Sequence, residues 1–371
     1  MTKRKIINDP VYDGFLSIDD PVILSVIEHP WFQRQRRIKQ LGLTYLVYPG
    51  AMHTRFSHML GALNLMGRAL DVLRQKGVEI SDEECRGAKL AILLHDIGHG
   101  PFSHTSERVL VDVPHEEITL MMMQRINKEM DGALDVAIDI FANRYPKHFL
   151  HQLVSSQLDM DRLDYLGRDS FFTGVSEGIV GTDRIISMLN VHNDELVIDE
   201  KGIYSVEKFI ISRRLMYWQV YMHKTVIAAD QVMLNILRRA HDLDVSPFTF
   251  NLSPFDLDRF AEVDDDDIMV AVKHWQHADD ETLSTLCRHL VNRRLPAIRF
   301  ASEPFADVVS SYFEGTGVLR NRSYDFNDQE IKVLYKDGRC LPISEASDQL
   351  DRHFLEKQVT KYYYYYPKVE E

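Results

Sequence analysis

The chain of 371 residues holds only three cysteines, Cys85, Cys287 and Cys340. They are far apart and none sits in a CxxC pair, which excludes a disulfide framework and a thiolate zinc site. Long apolar runs are missing too. LAILL, residues 90–94, is the longest aliphatic stretch beside the histidines and is far too short to cross a bilayer. The basic start MTKRKIINDP leads into no apolar segment, so neither export nor membrane attachment is expected, and a reducing cytoplasm is the expected location. Positive charge is scarce: 43 Lys and Arg stand against 56 Asp and Glu, for a formal charge of -13. A broad nucleic-acid-binding face needs clustered cations to displace counterions, so that class is set aside. A small anionic ligand stays open wherever cations gather locally. P-loop and dinucleotide fingerprints are also absent, which removes those kinases and dehydrogenases.

What the chain does have is helical periodicity. Apolar positions recur at steps of three and four through residues 21–42, 57–77, 86–98 and 206–240. Gly77 after Lys76 is a helix stop, and Ser81 with Glu84 is a capping box that opens the next helix. Pro101 is expected to end the helix that carries His95 and Asp96. The acidic run before IMVAVKHW, Asp264 to Asp267, fits a helix N-terminus better than a metal loop. Beyond about residue 300 the pattern changes: IKVLYKDGRCLPI alternates around Asp337 and Gly338, and Tyr362 to Tyr366 form a strand-prone run. The expected fold is therefore mostly α, with a helical core over 1–240, a helical extension over 241–300 and a small α/β region over 301–371.

Six of the 16 histidines, His53, His58, His95, His99, His104 and His115, fall between residues 53 and 115. His95 and Asp96 follow the apolar stretch AKLAILL, where unpaired polar side chains would cost several kcal/mol on the order of transfer estimates. Coordination of zinc, iron, manganese or, less well, magnesium removes that cost, while a helix end bonding its own carbonyls is the plainer alternative. In GPFSH, Gly100 and Pro101 are expected to turn His104 back toward His95, with Glu107 three residues on as its supporting carboxylate. A surface His-Glu pair remains the rival there. RFSH places Arg55 and His58 on one helical face, and LDMDRLDYLGRDS offers Asp159, Asp161, Asp164 and Asp169 with Arg162 and Arg168. Taken alone, that second stretch also fits a salt-bridged helix. Arg213, Tyr217, Tyr221 and Lys224, spaced four, four and three, fit one face of a helix with cations at its ends, either lining a ligand or packing tyrosines in the core.

With KIINDPVYD, HPWFQRQRRIKQLG, PGAMHTRFSHMLG, LHDIGHGPFSH, VPHEE, LDMDRLDYLGRDS and RRLMYWQVYMHK in this order, the chain resembles the HD-domain metal-dependent phosphohydrolases. Within them it is most similar to the deoxynucleoside triphosphate triphosphohydrolases, over residues 5 to about 235 and more weakly to about 300.

That resemblance implies an HD-domain helical fold and a metal pattern H…HD…D on His58, His95, Asp96 and Asp161. It implies catalytic roles for His104 and His115, and for Glu107 where relatives carry an aspartate. His99, Arg55, Arg162, Arg213 and Lys224 fall on phosphate-contacting positions. Gln40 and Leu41 fall where the sugar is read, Tyr165 beneath the deoxyribose, and Tyr217 and Tyr221 in the same pocket, Tyr217 where the family often has histidine. Lys5, Ile6, Asn8, Gln33 and Arg36 match a guanine-nucleotide activator site, in which Glu28 replaces an aspartate. The implied activity is hydrolysis of a dNTP to deoxynucleoside and triphosphate, with one divalent cation at the ligand set, a second magnesium riding on the triphosphate, and a homo-oligomer, dimer or tetramer. The alternatives are an HD-type phosphodiesterase or nucleotidase acting on another nucleotide, and a nucleotide sensor without turnover.

Overall fold

The computed structural model describes residues 4–12, 14–111, 113–246, 255–306, 308–322, 324–326 and 330–368. The side chains of His104, Glu107 and Arg108 lie outside that description. The body is helical, as its periodicity predicts, and its centre is the 21-residue helix Arg55–Gln75. Leu60, Leu63, Leu70 and Leu73 on this helix are buried, and Asp82–Leu94 and Met160–Thr173 pack beside it. The approach of Met160–Thr173 is possible because residue 61 is glycine: a Cβ there would collide with the Asp164 carboxylate and the Arg168 guanidinium. Gly77, at φ 88°, ends the central helix, and the capping box of Ser81 and Glu84 starts the next.

Three expected helices are interrupted. The pattern over 21–42 splits at His29 into Pro21–Glu28 and the short helix Pro30–Arg34, because Pro30 has no N–H to continue the ladder. The helix expected to reach Pro101 ends earlier: Asp82–Leu94 stops with His95 as its cap, and Asp96 stands in the turn beyond. The pattern over 206–240 becomes helix Ile203–Met216, a π turn at Tyr217–Tyr221, and helix Lys224–Asp242. Arg213 and Lys224 therefore belong to different helices and not to one face. Asp264 caps Asp265–Trp275, as its position in the acidic run predicts.

Among the described residues, nine strands accompany the helices. β1 (Lys5–Asn8) and β2 (Phe15–Ile18) form a hairpin. β3 (Leu189–His192) and β4 (Glu195–Asp199) lie inside the stretch expected to be wholly helical, joined at Asn193 and Asp194, both at positive φ. β5 is Ala297–Ala301, β6 Gly315–Arg322, β7 Lys332–Leu334, β8 Cys340–Pro342 and β9 Gln358–Tyr366. The hairpin predicted around Gly338 is β7–β8, and the tyrosine run is the central strand of β5-β9-β6. β7 pairs in parallel with β4, giving the order β3-β4-β7-β8, so the C-terminal region completes a sheet begun in the body. No described helix is long and apolar enough to cross a membrane.

Candidate metal centre

His58 lies in the first turn of Arg55–Gln75, His95 caps Asp82–Leu94, and Asp161 stands in the first turn of Met160–Thr173. Asp161 Oδ1 is 3.1 Å from His58 Nε2 and 3.3 Å from His95 Nε2, and the two imidazole nitrogens are 3.4 Å apart. One cation could touch all three atoms.

The neighbours decide which nitrogen faces that point. His58 Nδ1 is 2.7 Å from the Asp164 carboxylate, and His95 Nδ1 is 2.7 Å from the Ile92 carbonyl. Both partners only accept, so each Nδ1 carries the proton and each Nε2 can turn a lone pair toward Asp161. This is the arrangement a metal ligand requires, and with one carboxylate it suits a divalent cation.

The electrostatics agree. Burial lowers the His58 pKa, but hydrogen bonds with Asp161 and Asp164 outweigh it and lift it to about 10. His95 also rises against its burial, through the charges of Asp96 and Asp161. Burial raises Asp161, yet the His95 charge and hydrogen bonds from both histidines hold it well below the usual carboxylate range. A divalent cation would answer the same field and release the protons it holds.

Asp96 reaches the edge of this triangle, with Oδ1 3.5 Å from His95 Nε2 and Oδ2 3.7 Å from His58 Nε2. Its Oδ2 accepts a short hydrogen bond from Arg55 Nη1, and Oδ1 is 3.4 Å from His99 Nε2. Arg55 is buried and also grips Ser103 Oγ through Nη2 at 2.8 Å. It thus anchors Asp96 to the turn that precedes His104.

The segment from His95 to Ser103 is held mostly by side chains distant in sequence. Gln35 Nε2 donates to the Ile97 carbonyl and Arg34 Nη1 to that of His99, both at 3.1 Å. Thr119 Oγ1 accepts from Gly98 N at 3.1 Å, and His99 stacks on His115 with centroids 3.9 Å apart. Gly98 must be small: a Cβ would strike the His115 carbonyl and Thr119. The sharp backbone expected at Gly100 falls instead on Phe102 and Ser103, at φ 50° and 29°, a strained conformation for residues with side chains. His104 and Glu107 follow on helix Ser103–Leu110, but the roles expected for them rest on side chains outside the described residues.

Aromatic and cationic side chains adjoin the cluster. Tyr165 is one turn beyond Asp161, Tyr221 stands edge-on to it at 6.2 Å, and Tyr217 edge-on to Tyr221 at 5.2 Å. The π turn brings Tyr217 and Tyr221 together here. Burial drives the Tyr165 pKa far up, while the Arg213 and Arg162 charges oppose it, which places both guanidinium groups near that ring. Two buried atoms of the expected substrate residues, Gln40 Oε1 and Arg213 Nε, make no hydrogen bond among the described residues. Buried polar atoms seldom stay unpaired, so each has hydrogen-bonding capacity to spare. Leu41 packs against the core, and Lys224 is exposed at the start of its helix.

Among the residues expected to bind an activator, Lys5, Ile6 and Asn8 lie on β1 and Glu28 ends its helix. Gln33 and Arg36 are joined at 2.8 Å, and the Arg36 guanidinium lies 3.5 Å over the Phe56 ring.

Several residues noted in the sequence have supporting roles that their spacing did not reveal. Asp159 is the helix cap, accepting from Ser156 N at 2.8 Å and Arg162 N at 2.7 Å. Asp164 is the partner of His58; its spacing of three from Asp161 was the available signal. His53 Nε2 and Asp169 Oδ1 meet at 2.7 Å while Tyr221 Oη donates to Asp169 Oδ2, a link across more than a hundred residues that no local pattern announces.

A His-Asp cluster at the meeting of three helices, with arginines and tyrosines beside it, marks a helical protein whose residues could hold a divalent cation. The chain belongs to the HD-domain phosphohydrolases: an HD domain is matched by residues 55–168 and an HD associated region by residues 180–308. The crystal structure of a phosphohydrolase from Bacteroides thetaiotaomicron is similar over 99% of this chain and 100% of that one, with 47% identity and a TM-score of 0.94. An uncharacterized Bacillus subtilis protein is 34% identical over 99% of this chain and 93% of its own length. The human deoxynucleoside triphosphate triphosphohydrolase SAMHD1 is 29% identical over 64% of this chain, and the match spans 45% of the human protein.

Proposed function

We propose that this protein is a metal-dependent deoxynucleoside triphosphate triphosphohydrolase, releasing deoxynucleoside and inorganic triphosphate. The observation that carries the reading is the His58, His95 and Asp161 donor set, with two expected substrate residues, Gln40 and Arg213, each holding a buried polar atom, Oε1 and Nε, that has no partner. The first suits a cation and the second a ligand bearing both a hydroxyl and an anion. The human relative named for this activity supports the substrate class.

His58, His95 and Asp161 would hold the cation with Asp96 beside them. A divalent cation bound there supplies Lewis acidity toward phosphate and water. Arg213 and Arg162 compensate the triphosphate charge, Gln40 Oε1 accepts from a sugar hydroxyl, and Tyr165 packs beneath the ring. Water oxygen bonds to the α-phosphorus as the bond to the 5′-oxygen breaks. His104, with Glu107, supplies the proton that the leaving oxygen takes, His115 is the second catalytic histidine, and His99 lines the phosphates. A second magnesium accompanies the triphosphate, a guanine nucleotide at Lys5, Ile6, Asn8, Gln33 and Arg36 activates, and the protein works as a homo-oligomer.

The test is a chromatographic assay of purified protein with each dNTP and NTP, alone and mixed, in Mg, Mn, Fe and Zn. Triphosphate and deoxynucleoside are expected, and mixtures containing GTP or dGTP are expected to stimulate. Diphosphate with a nucleoside monophosphate, or no turnover in any mixture, would overturn the reading.

A further inference from the structure

The acidic run Asp264 to Asp267 does more than start a helix. Capping accounts for Asp264 and Asp267: Asp264 Oδ1 accepts from Asp266 N at 3.0 Å, and Asp267 Oδ2 accepts from Asp264 N at 2.9 Å. Asp265 takes no part in that box, yet it is the member sealed completely from solvent. A carboxylate is costly to bury unless every lone pair is answered, and capping does not explain why this one is inside.

Its partners explain it. Asp265 Oδ1 accepts from Phe102 N and Oδ2 from Lys39 N, both at 2.9 Å, with Lys39 Nζ at 3.6 Å. Phe102 is the first of two residues at positive φ before His104, so one oxygen holds a strained turn at the N–H where it departs from regular backbone. Lys39 precedes Gln40 and Leu41 and bridges Thr54, next to Arg55; Gln40 N bonds the His53 carbonyl at 3.0 Å. The two segments lie against one another, since a Cβ at Gly42 would be 4.0 Å from Phe102 Cα. Asp265 belongs to the HD associated region; of the two N–H groups it holds, that of Phe102 precedes Ser103, which Arg55 ties to Asp96, and that of Lys39 precedes Gln40.

We propose that Asp265 is a positioning residue: its carboxylate keeps the turn before His104 and the segment carrying Gln40 in one fixed relation, so that the associated region sets the geometry of the substrate pocket. The consequence for catalysis rests on the function proposed above. Removing one of the two bonds would let the turn and the sugar-reading segment move independently, which costs turnover and discrimination while leaving His58, His95 and Asp161 in place.

The test is Asp265→Asn, which keeps the shape but can accept through one atom only, with Asp265→Ala as the second variant. Three measurements are made on the full chain: Mn binding by electron paramagnetic resonance, hydrogen exchange by mass spectrometry, and kinetics with dATP and ATP. Expected are Mn binding within twofold of the parent, faster exchange confined to peptides covering 37–42 and 99–106, and a loss of at least tenfold in kcat/KM for dATP with a smaller dATP-to-ATP ratio. Parental exchange in both peptides, or exchange raised evenly along the chain, overturns the proposal. So does a parental dATP-to-ATP ratio in a protein that hydrolyses dATP. If the parent hydrolyses no dNTP, the functional reading fails, whereas the exchange pattern still decides whether Asp265 positions these segments.

Discussion

His58 Nδ1 lies 2.7 Å from Asp164 Oδ2, and neither side chain is open to solvent. This contact turns the other imidazole nitrogen toward Asp161. Arg168 Nε bonds the same Asp164 oxygen at 2.8 Å and its Nη2 reaches Asp9 at 2.6 Å, while Tyr12 Oη donates to Asp164 Oδ1 at 2.6 Å. The Arg168 charge and the hydrogen bonds from His58 and Arg168 bring Asp164 to about 2, against the effect of its burial. The N-terminal segment thus supports the metal centre through a chain of buried charges.

Asp164→Asn tests that support. The amide keeps the volume but cannot accept from His58, Arg168 and Tyr12 together, so metal affinity is expected to fall about 10- to 100-fold. Stability should fall by about 3 kcal/mol as a buried charge network is broken. Calorimetric titration with Mn and urea unfolding measure the two effects; parental metal affinity would show that Asp164 does not orient His58.

Metal removal should be reversible in a defined way. A cation that binds only the folded state at a hundredfold excess over its Kd stabilises by about 2.7 kcal/mol. Chelation is therefore expected to lower the Tm of the parent and abolish hydrolysis, with both restored by Mn. His95→Ala should show neither the Tm shift nor the activity. A His95→Ala protein that hydrolyses dNTP at the parental rate would refute the ligand assignment.

Arg213→Lys separates charge from geometry. Lysine retains the positive charge but loses the planar fork and the Nε donor that is buried unpaired here. A rise in KM for dNTP of roughly tenfold is expected, with Mn affinity unchanged. Equal KM values for the two proteins would remove Arg213 from the pocket.

Asp230, which accepts from Thr105, gives the chain a pH signature of its own. Burial raises its pKa to about 7, and the hydrogen bond from Thr105 at 2.9 Å only partly opposes this. Because the folded value lies above the unfolded one, the stabilising protonated form is complete below the unfolded pKa and is lost as pH rises through about 7. Asp230→Asn lacks this titration, so relative to the parent it should gain about 2.6 kcal/mol between pH 5 and pH 8. Denaturation curves of both proteins at the two pH values measure the difference, and parallel pH profiles would contradict it.

Much of the architecture was legible locally. The turn at Gly77, the capping box at Ser81 and Glu84, the cap at Asp264 and the hairpin around Gly338 are short-range events, and each stands where its residues predict. Breaks were harder to see. A π turn keeps nearly the apolar spacing of a helix, so Tyr217 to Tyr221 looked continuous with their neighbours. β3 and β4 are four and five residues long, too short to show alternation within a helical background.

By itself, the sequence determined that the chain is mostly helical and carries the HD family's ordered motifs. Both are properties of neighbouring residues and their spacing. Tertiary structure decided which groups meet: Asp164 pairs with His58, Arg55 closes on Asp96 and Ser103, and Asp265 reaches across from a distant helix to hold Phe102 and Lys39. The four aspartates of LDMDRLDYLGRDS are chemically alike and separate into a cap, a metal-facing carboxylate, a histidine partner and a tyrosine partner. That separation comes from long-range packing and burial, because pairing with a distant partner is what makes an interior carboxylate stable.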